Sequence, residues 1–354
     1  MIAIGFFVIF IAVMSLGAEQ TPPVELLLST PRAAYVIGDP IPVTLQIRAR
    51  DTSQVLEYGD KCFSKFYMHL TVMNPDGLEL FYKTKRDGHG GTSRKEGWVT
   101  VAKSGTVVRD TDLTDVYNNE TRAWSSKPHS LTFTGVYHVI YSDVVQVRPV
   151  GLESNLWVGA VTSAPLAIRI MPVDNDSLRA ARRVLSKTNT ELSLQLRALT
   201  KLQYSTAKLT TEDYNLLQKL LMRDDVTIDW KIIRVLSAKP SAEGFKVLSD
   251  LLATEKDYYT LSAAIAALEY FNTPAAHKLV LEECKSRTNA YRTAVFVLGK
   301  VGDESCLGVL HEIARTDTND LVHGQAIESI KKIEERMSAP KAKPVNEKED
   351  ANTE

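Results

Sequence analysis

AVFVLGKVGDESCLGVLHEIA, residues 294–314, reads as two short helices broken at Gly302-Asp303. Val295, Leu298 and Val301 fall at near-helical spacing in the first half, and Leu307, Leu310, Ile313 and Ala314 repeat the pattern in the second. Each helix is therefore apolar on one side. Gly302 suits a helix C-terminus because it tolerates positive φ, and Asp303 is placed to accept the orphan amide hydrogens that open the next helix. A pair this small does not offset its own chain entropy, so it needs copies beside it.

Copies are present. IIRVLSAKPSAEGFKVLSDLL begins at Ile232, AIAALEYFNTPAAHKLVLEEC at Ala264, and AIESIKKIEE, a final half, at Ala326. The first-helix positions Leu236, Leu268, Leu298 and Ile330 lie 32, 30 and 32 residues apart. In the second helices, Leu248, Val280 and Leu310 each fall 12 residues after their counterpart. LSLQLRALTKL followed by TTEDYNLLQKLLM, residues 192–222, is an earlier and more divergent pair. The pattern, over roughly residues 178–336, resembles HEAT repeats of the short bacterial kind, and LGKVGD is similar to that family's Leu-Gly-x-x-Gly-Asp turn. TPAAHKL, residues 273–279, is similar to the ankyrin Thr-Pro-Leu-His box but occurs once. The HEAT resemblance implies an α-solenoid whose pairs bury one another's stripes, with second helices lining one broad face.

From Val24 to Met171 the period is two. PVTLQIRAR alternates Val43, Leu45 and Ile47 with Thr44, Gln46 and Arg48, and YMHLTVM does the same with Met68, Leu70 and Val72. The turn NPDG, residues 74–77, joins that strand to LELFY as a hairpin. WVTVA, GVYHVIY and PLAIRIM supply further strands. YVIGDPIPVTLQI, FTGVYHVIY and VGAVTSAPLAIRI resemble strands of immunoglobulin-like domains in exported proteins, which implies an antiparallel β-sandwich. The Cys…Trp…Cys spacing of antibody domains is absent.

The 354 residues, 44% hydrophobic and 24% charged, suffice for two domains, and a net charge of −1 excludes the basic field that phosphate-backbone binding requires. MIAIGFFVIFIAVMSLGAEQ has an apolar core followed by Ser15, Gly17 and Ala18, which resembles a secretory signal peptide; lacking Lys or Arg near Met1, it also fits an uncleaved membrane anchor. The expected organisation is a signal peptide at 1–18, an immunoglobulin-like sandwich at 19–172, a HEAT-type solenoid at 173–336 and a Pro-, Lys- and Glu-rich disordered tail at 337–354. NDSLRAARRVL opens the helical half, with Asp176 or Ser177 as N-cap.

Chemistry-bearing motifs are sparse. His69, His129, His138, His277, His311 and His323 fit no ligand spacing, and neither HExxH nor CxxC occurs. Cys62, Cys284 and Cys306 read as small hydrophobes; stacking would set Cys284 and Cys306 about 12 Å apart along the helix axis. KRDGHGGTSRKEGW, residues 85–98, is a polar Gly-rich strand connection without a Gly-x-Ser-x-Gly nucleophile elsewhere; Arg86, Arg94 and Trp98 are its candidate ligand contacts. Asp110, Asp112 and Asp115 read as a solvated turn rather than a calcium loop. Asp250, Glu282 and Glu312, two residues after Leu248, Val280 and Leu310, form an acidic row that suits a basic partner or, with Lys246 and Lys278 four residues earlier, simple i,i+4 pairs.

The sequence thus predicts an exported protein, periplasmic or extracellular, that is non-catalytic and binds or scaffolds another protein through its solenoid. No cofactor, metal or nucleic acid is expected, and a membrane only if residues 1–18 are retained. The alternatives are an enzyme or enzyme accessory, since short HEAT arrays occur in lyases, with His69, His89 and Asp110, Asp112 and Asp115 as its residues; and carbohydrate or cell-envelope binding on Trp98, Trp124 or Trp157.

Overall fold

The computed structural model describes residues 21–51, 55–60, 70–80, 97–101, 106–113, 131, 134–152, 157–187, 189–223, 225–254, 257–271, 273–286 and 290–338. The expected leader, residues 339–354 of the expected tail, Cys62, His69, Arg86, His89, Arg94, Asp115, Trp124 and His129 lie outside the described residues, while Met337 and Ser338, expected in the tail, end the last helix. The chain forms two compact units, one of residues 1–35 and 39–171, the other of residues 36–38 and 172–354. Strands fill the first and helices the second.

The first unit contains β1 (Val24–Ser29), β2 (Ala34–Val36), β3 (Pro42–Ala49), β4 (Leu56–Asp60), β5 (Leu70–Met73), β6 (Glu79–Leu80), β7 (Gly97–Val101), β8 (Thr106–Asp112), β9 (Gly135–Pro149), β10 (Trp157–Thr162) and β11 (Leu166–Met171). One sheet has the order β1-β3-β8, and its pairings are antiparallel. In the other, β9 is the spine. Its first half pairs with β5 and β11, its second half with β4 and β10, all antiparallel. β3 buries Val43, Leu45 and Ile47 as its alternation requires, and β9 buries Tyr137, Val139 and Tyr141. β1 approaches β9 and β10, and β3 approaches β7, so the two sheets come into contact.

Two local devices hold the register. Between β10 and β11, Ser163–Pro165 oppose only Ile140 and Tyr141, a one-residue bulge in which Ser163 Oγ accepts from the Tyr141 amide at 3.1 Å. At the NPDG hairpin, Asn74 Oδ1 accepts from the amides of Asp76 (3.0 Å) and Leu78 (2.8 Å), and Gly77 takes a φ of 75°. Asp110 and Asp112 are not turn residues. They belong to β8, where Asp110 Oδ1 accepts from the Thr44 hydroxyl at 2.5 Å and Asp112 Oδ1 from the Ile41 amide at 2.9 Å. The flanking Thr106, Val107 and Val108 carry the β-propensity that the carboxylates masked.

The second unit contains α1 (Asn175–Leu185), α2 (Leu192–Tyr204), α3 (Thr211–Leu221), α4 (Val226–Ala238), α5 (Ala242–Thr254), α6 (Tyr258–Ala267), α7 (Pro274–Ser286), α8 (Tyr291–Val301), α9 (Leu307–Thr316) and α10 (Asp320–Ser338). A 3₁₀ turn, Leu268–Tyr270, prolongs α6, and another, Glu304–Cys306, precedes α9. α1 is capped by Asp174, whose side chain accepts from the Ser177 amide at 2.7 Å, rather than by Asp176 or Ser177. Asp174 is the residue with extended φ/ψ, and Asn175 already begins the helix.

Helices α2, α4, α6, α8 and α10 touch in series, each against the next even-numbered helix, while α5, α7 and α9 pack against the even-numbered helix that follows each. Leu236, Leu268 and Leu298, and Leu248, Val280 and Leu310, are all fully buried, so the interval seen in the sequence is the interval of the interior. Polar ties cross between neighbours. Arg336 on α10 donates to the carbonyls of Gly299 (2.6 Å) and Gly302 (2.7 Å), and Ser329 Oγ donates to the Val295 carbonyl at 2.9 Å. Gly302 has a φ of −67°, so it is not needed for positive φ; a Cβ there would lie 2.5 Å from the Leu298 carbonyl oxygen. Close packing selects glycine at this turn. Asp303 does cap the following 3₁₀ turn, accepting from the Ser305 amide at 3.0 Å.

The buried carboxylate of Asp213 anchors α3 to α1. Burial pushes its pKa up, but Arg182, donating at 2.8 and 2.6 Å, and the Thr210 amide at 2.9 Å outweigh burial and hold it below the ordinary carboxylate value. A depressed folded-state pKa contributes stability above the unfolded value of about 3.9, and that contribution is lost as pH falls through the folded value. Asp213→Asn is expected to lower stability at pH 7 by about 2–4 kcal/mol and to flatten the acid limb of the stability-versus-pH curve. Urea denaturation from pH 7 down to about pH 3 checks both effects.

Candidate functional site

The second helices and the even-numbered helices expose different residues. On the second helices, Asp250, Glu282 and Glu312 are exposed, as their position two residues beyond a buried side chain requires. Lys246 Nζ lies 2.7 Å from Asp250 and Lys278 Nζ 3.9 Å from Glu282, both as i,i+4 pairs on their own helices. Such exposed pairs are worth a few tenths of a kcal/mol and leave an alternating, locally neutral surface. Two of these three carboxylates, Asp250 and Glu282, are thus already engaged.

The even-numbered helices carry a different surface. On α4, Trp230, Lys231 and Arg234 share the stripe that is not buried; on α6 and its 3₁₀ extension the stripe holds Tyr259, Ser262, Ala263, Ala266 and Tyr270; on α8 it holds Arg292, Phe296 and Lys300. Trp230 and Tyr259 meet across helices, with ring centroids 6.4 Å apart and planes tilted by 60°. Tyr258 meets Tyr259 edge-on at 5.2 Å. Tyr258 is 41%, Tyr259 62% and Tyr270 56% exposed, which is uncommon for aromatic side chains held in contact. The Trp230 indole N–H is buried without a hydrogen-bond acceptor among the described residues. On α8, Lys300 Nζ stands 4.8 Å above the Phe296 ring and 2.8 Å from the Glu269 carboxylate.

Sequence reasoning overlooked this cluster because it followed the second helices. The signal was available: the aromatic pair Tyr258-Tyr259 follows Asp257 at a helix start, where Asp257 Oδ2 accepts the Thr260 amide at 2.7 Å, and both rings fall off the buried stripe.

Other expected residues are scattered. Trp98 lies on β7, and Trp157 is half-buried on β10 with its ring folded over Gly159, where a Cβ would come within 2.5 Å of the indole. His138 is on β9, His277 on α7, His311 on α9 and His323 on α10. Among the described residues no group of three His, Cys, Asp or Glu side chains is gathered as a metal would require. Cys284 and Cys306 are free and buried, and burial, with Cys306 nearby, pushes the Cys284 thiol up to about 12. No helix among the described residues is long and apolar enough to cross a membrane.

A scan of the chain against protein-family models finds no match, and a search of curated proteins finds none either.

The ion pairs of the second-helix surface are expected to be nearly silent. A double-mutant cycle on Lys246→Ala and Asp250→Ala, read by thermal unfolding, should give a coupling of about 0.5 kcal/mol or less, falling further in high salt. A coupling above about 1.5 kcal/mol would show the row to be a structural network instead.

Proposed function

We propose that this chain is an exported, non-catalytic protein-binding or scaffolding protein, in which an immunoglobulin-like β-sandwich precedes a HEAT-type α-solenoid and binding runs through the solenoid surface. The observation that carries the reading is the contact of α2, α4, α6, α8 and α10 in series, with Leu236, Leu268 and Leu298 fully buried along it. Cohesion of that kind exposes one stripe of every helix in turn, which favours a long docking surface over a closed cavity. Exposed aromatic side chains on that surface are the residue type that anchors protein interfaces.

Two further observations favour binding over catalysis. Asp110 and Asp112, the described members of the expected catalytic set, are engaged in strand hydrogen bonds to Thr44 and Ile41. The described histidines are dispersed over four elements. Export rests on the apolar segment Ile2–Val13 and the small residues that follow it.

Affinity capture with the full chain, against proteins released from the compartment of its native source, tests the reading. A saturable protein partner is expected, with an affinity that drops about tenfold or more on Tyr259→Ala or Glu282→Lys, whichever helical surface it uses. Absence of any saturable partner, or a partner retained undiminished by both variants, would contradict a docking role for the helices.

A further inference from the structure

We infer that one end of the strand unit, the end bearing Val55, Val150 and Leu152, lies on a lipid bilayer, and that the N-terminal apolar segment stays on the chain as the anchor that holds it there. The inference concerns the strand unit and goes beyond the docking role proposed for the helices.

Strand pairing and short connections gather these residues. Leu56, the first residue of β4, pairs with Val101, the last of β7, and with Pro149, the last of β9. Residues 102–105 lead from β7 to the start of β8, where Thr106 pairs with Arg48 near the end of β3. Ala49, the last residue of β3, pairs with Val24, the first of β1. The start of β1, the end of β3 and the start of β4 therefore share one end of the unit. The Arg50 amide donates to the Pro23 carbonyl at 2.9 Å, and the Val150 amide to the Val55 carbonyl at 3.1 Å. Five residue steps separate Arg50 from Val55, a reach of at most about 18 Å.

That end is apolar where it is open. Val55 is 36%, Val150 48% and Leu152 48% exposed, and Val158, beside the first residue of β10, 52%. Val150 and Leu152 flank Gly151, whose φ is 79°, in a turn closed by the Leu152 amide on the Pro149 carbonyl at 3.2 Å. A Cβ on Gly151 would meet nothing within 4 Å, so the turn stands clear of its surroundings. The segment that leaves this same end says what covers it. Residues 2–18 hold no charged side chain, and about 17 apolar residues are the fewest that span a hydrocarbon core. Glu19 to Pro23 tie them to Val24 with a reach of at most about 18 Å, and Pro22 and Pro23 each fix a φ angle. A retained segment thus keeps Val24, and with it the Val150-Gly151-Leu152 turn, at the bilayer surface. Cleavage beside Ser15, Gly17 and Ala18 would leave the same apolar residues facing water, whereas lipid buries them. Leu78 is the reference position. It follows the NPDG turn, and the Met73 before that turn pairs with His138, about 36 Å of β9 away from Pro149 at about 3.3 Å per residue.

The test reconstitutes the full chain, with Cys62→Ser, into phosphatidylcholine vesicles and places an environment-sensitive fluorophore on Leu152→Cys or, separately, Val55→Cys; Cys284 and Cys306 are buried and do not compete for the label. Phosphatidylcholine carrying a nitroxide on its acyl chain is expected to quench both positions about twofold or more, and to leave the same fluorophore on Leu78→Cys nearly unquenched. Circular dichroism checks that each labelled variant is folded. Mass spectrometry of the chain from the membrane fraction of its native source should find residues 1–18 still attached. Loss of residues 1–18 there, no quenching at Leu152, or equal quenching at Leu152 and Leu78 would overturn the inference. A blue-shifted Leu152 label that lipid nitroxide does not quench would also overturn it, because protein rather than lipid would then cover the turn. Partner capture by the helices is read separately, so failure here leaves the proposed docking role standing, and failure to capture a partner leaves this inference standing.

Discussion

The helical half of this protein depends on one constraint, that no helix in it can bury its apolar stripe alone. Leu236 on α4, Leu268 after α6 and Leu298 on α8 are each fully excluded from water, and each helix achieves this only against its neighbours, those of the even-numbered row and those packed beside it. Burying a leucine stabilises by about 1.5–3 kcal/mol, against a backbone cost of about 1–2 kcal/mol for every residue ordered. Cohesion between adjacent helices therefore has to be continuous along the row. The same constraint leaves each helix one outward stripe, so the surface open to a partner is a by-product of how the interior closes.

Where the row ends, polar groups take over the work that a further helix would do. Arg336 satisfies the last carbonyls of α8, Ser329 sits against Gly299 so closely that a Cβ on that glycine would lie 2.4 Å from its hydroxyl, and α10 turns Lys331, Glu334 and Glu335 outward. The strand half answers the equivalent problem differently. β9 runs for 15 residues and serves four partners in antiparallel pairing, so its two halves bind what would otherwise be separate small sheets. The bulge at Ser163–Pro165 lets β10 and β11 follow the same side of β9 despite a change of register.

Much of this was legible in residue order. The constant 12-residue interval between paired apolar positions survives because both ends of the interval are buried, and NPDG declared its hairpin because Asn74 and Gly77 have specific turn chemistry. What was not legible came from context. A strand containing Asp110 and Asp112 looks like a turn until Thr44 and the Ile41 amide are known to lie opposite. Gly302 fits a positive-φ role by habit of the residue, yet its selection comes from the Leu298 carbonyl against it, a contact no local pattern reveals. The aromatic surface was hidden for a third reason: Trp230 and Tyr259 are 29 positions apart, and only the packing of α4 on α6 makes them one cluster.

The proposed role as a binding scaffold requires that the helices cohere neighbour to neighbour rather than around a single shared centre. Amide hydrogen exchange on the full chain carrying Leu268→Ala tests this most directly. The account predicts faster exchange in α4, α6 and α8, which adjoin the cavity, with the protection of α1 and α2 retained. A uniform loss of protection over all ten helices α1–α10 would mean one indivisible globule and would contradict it.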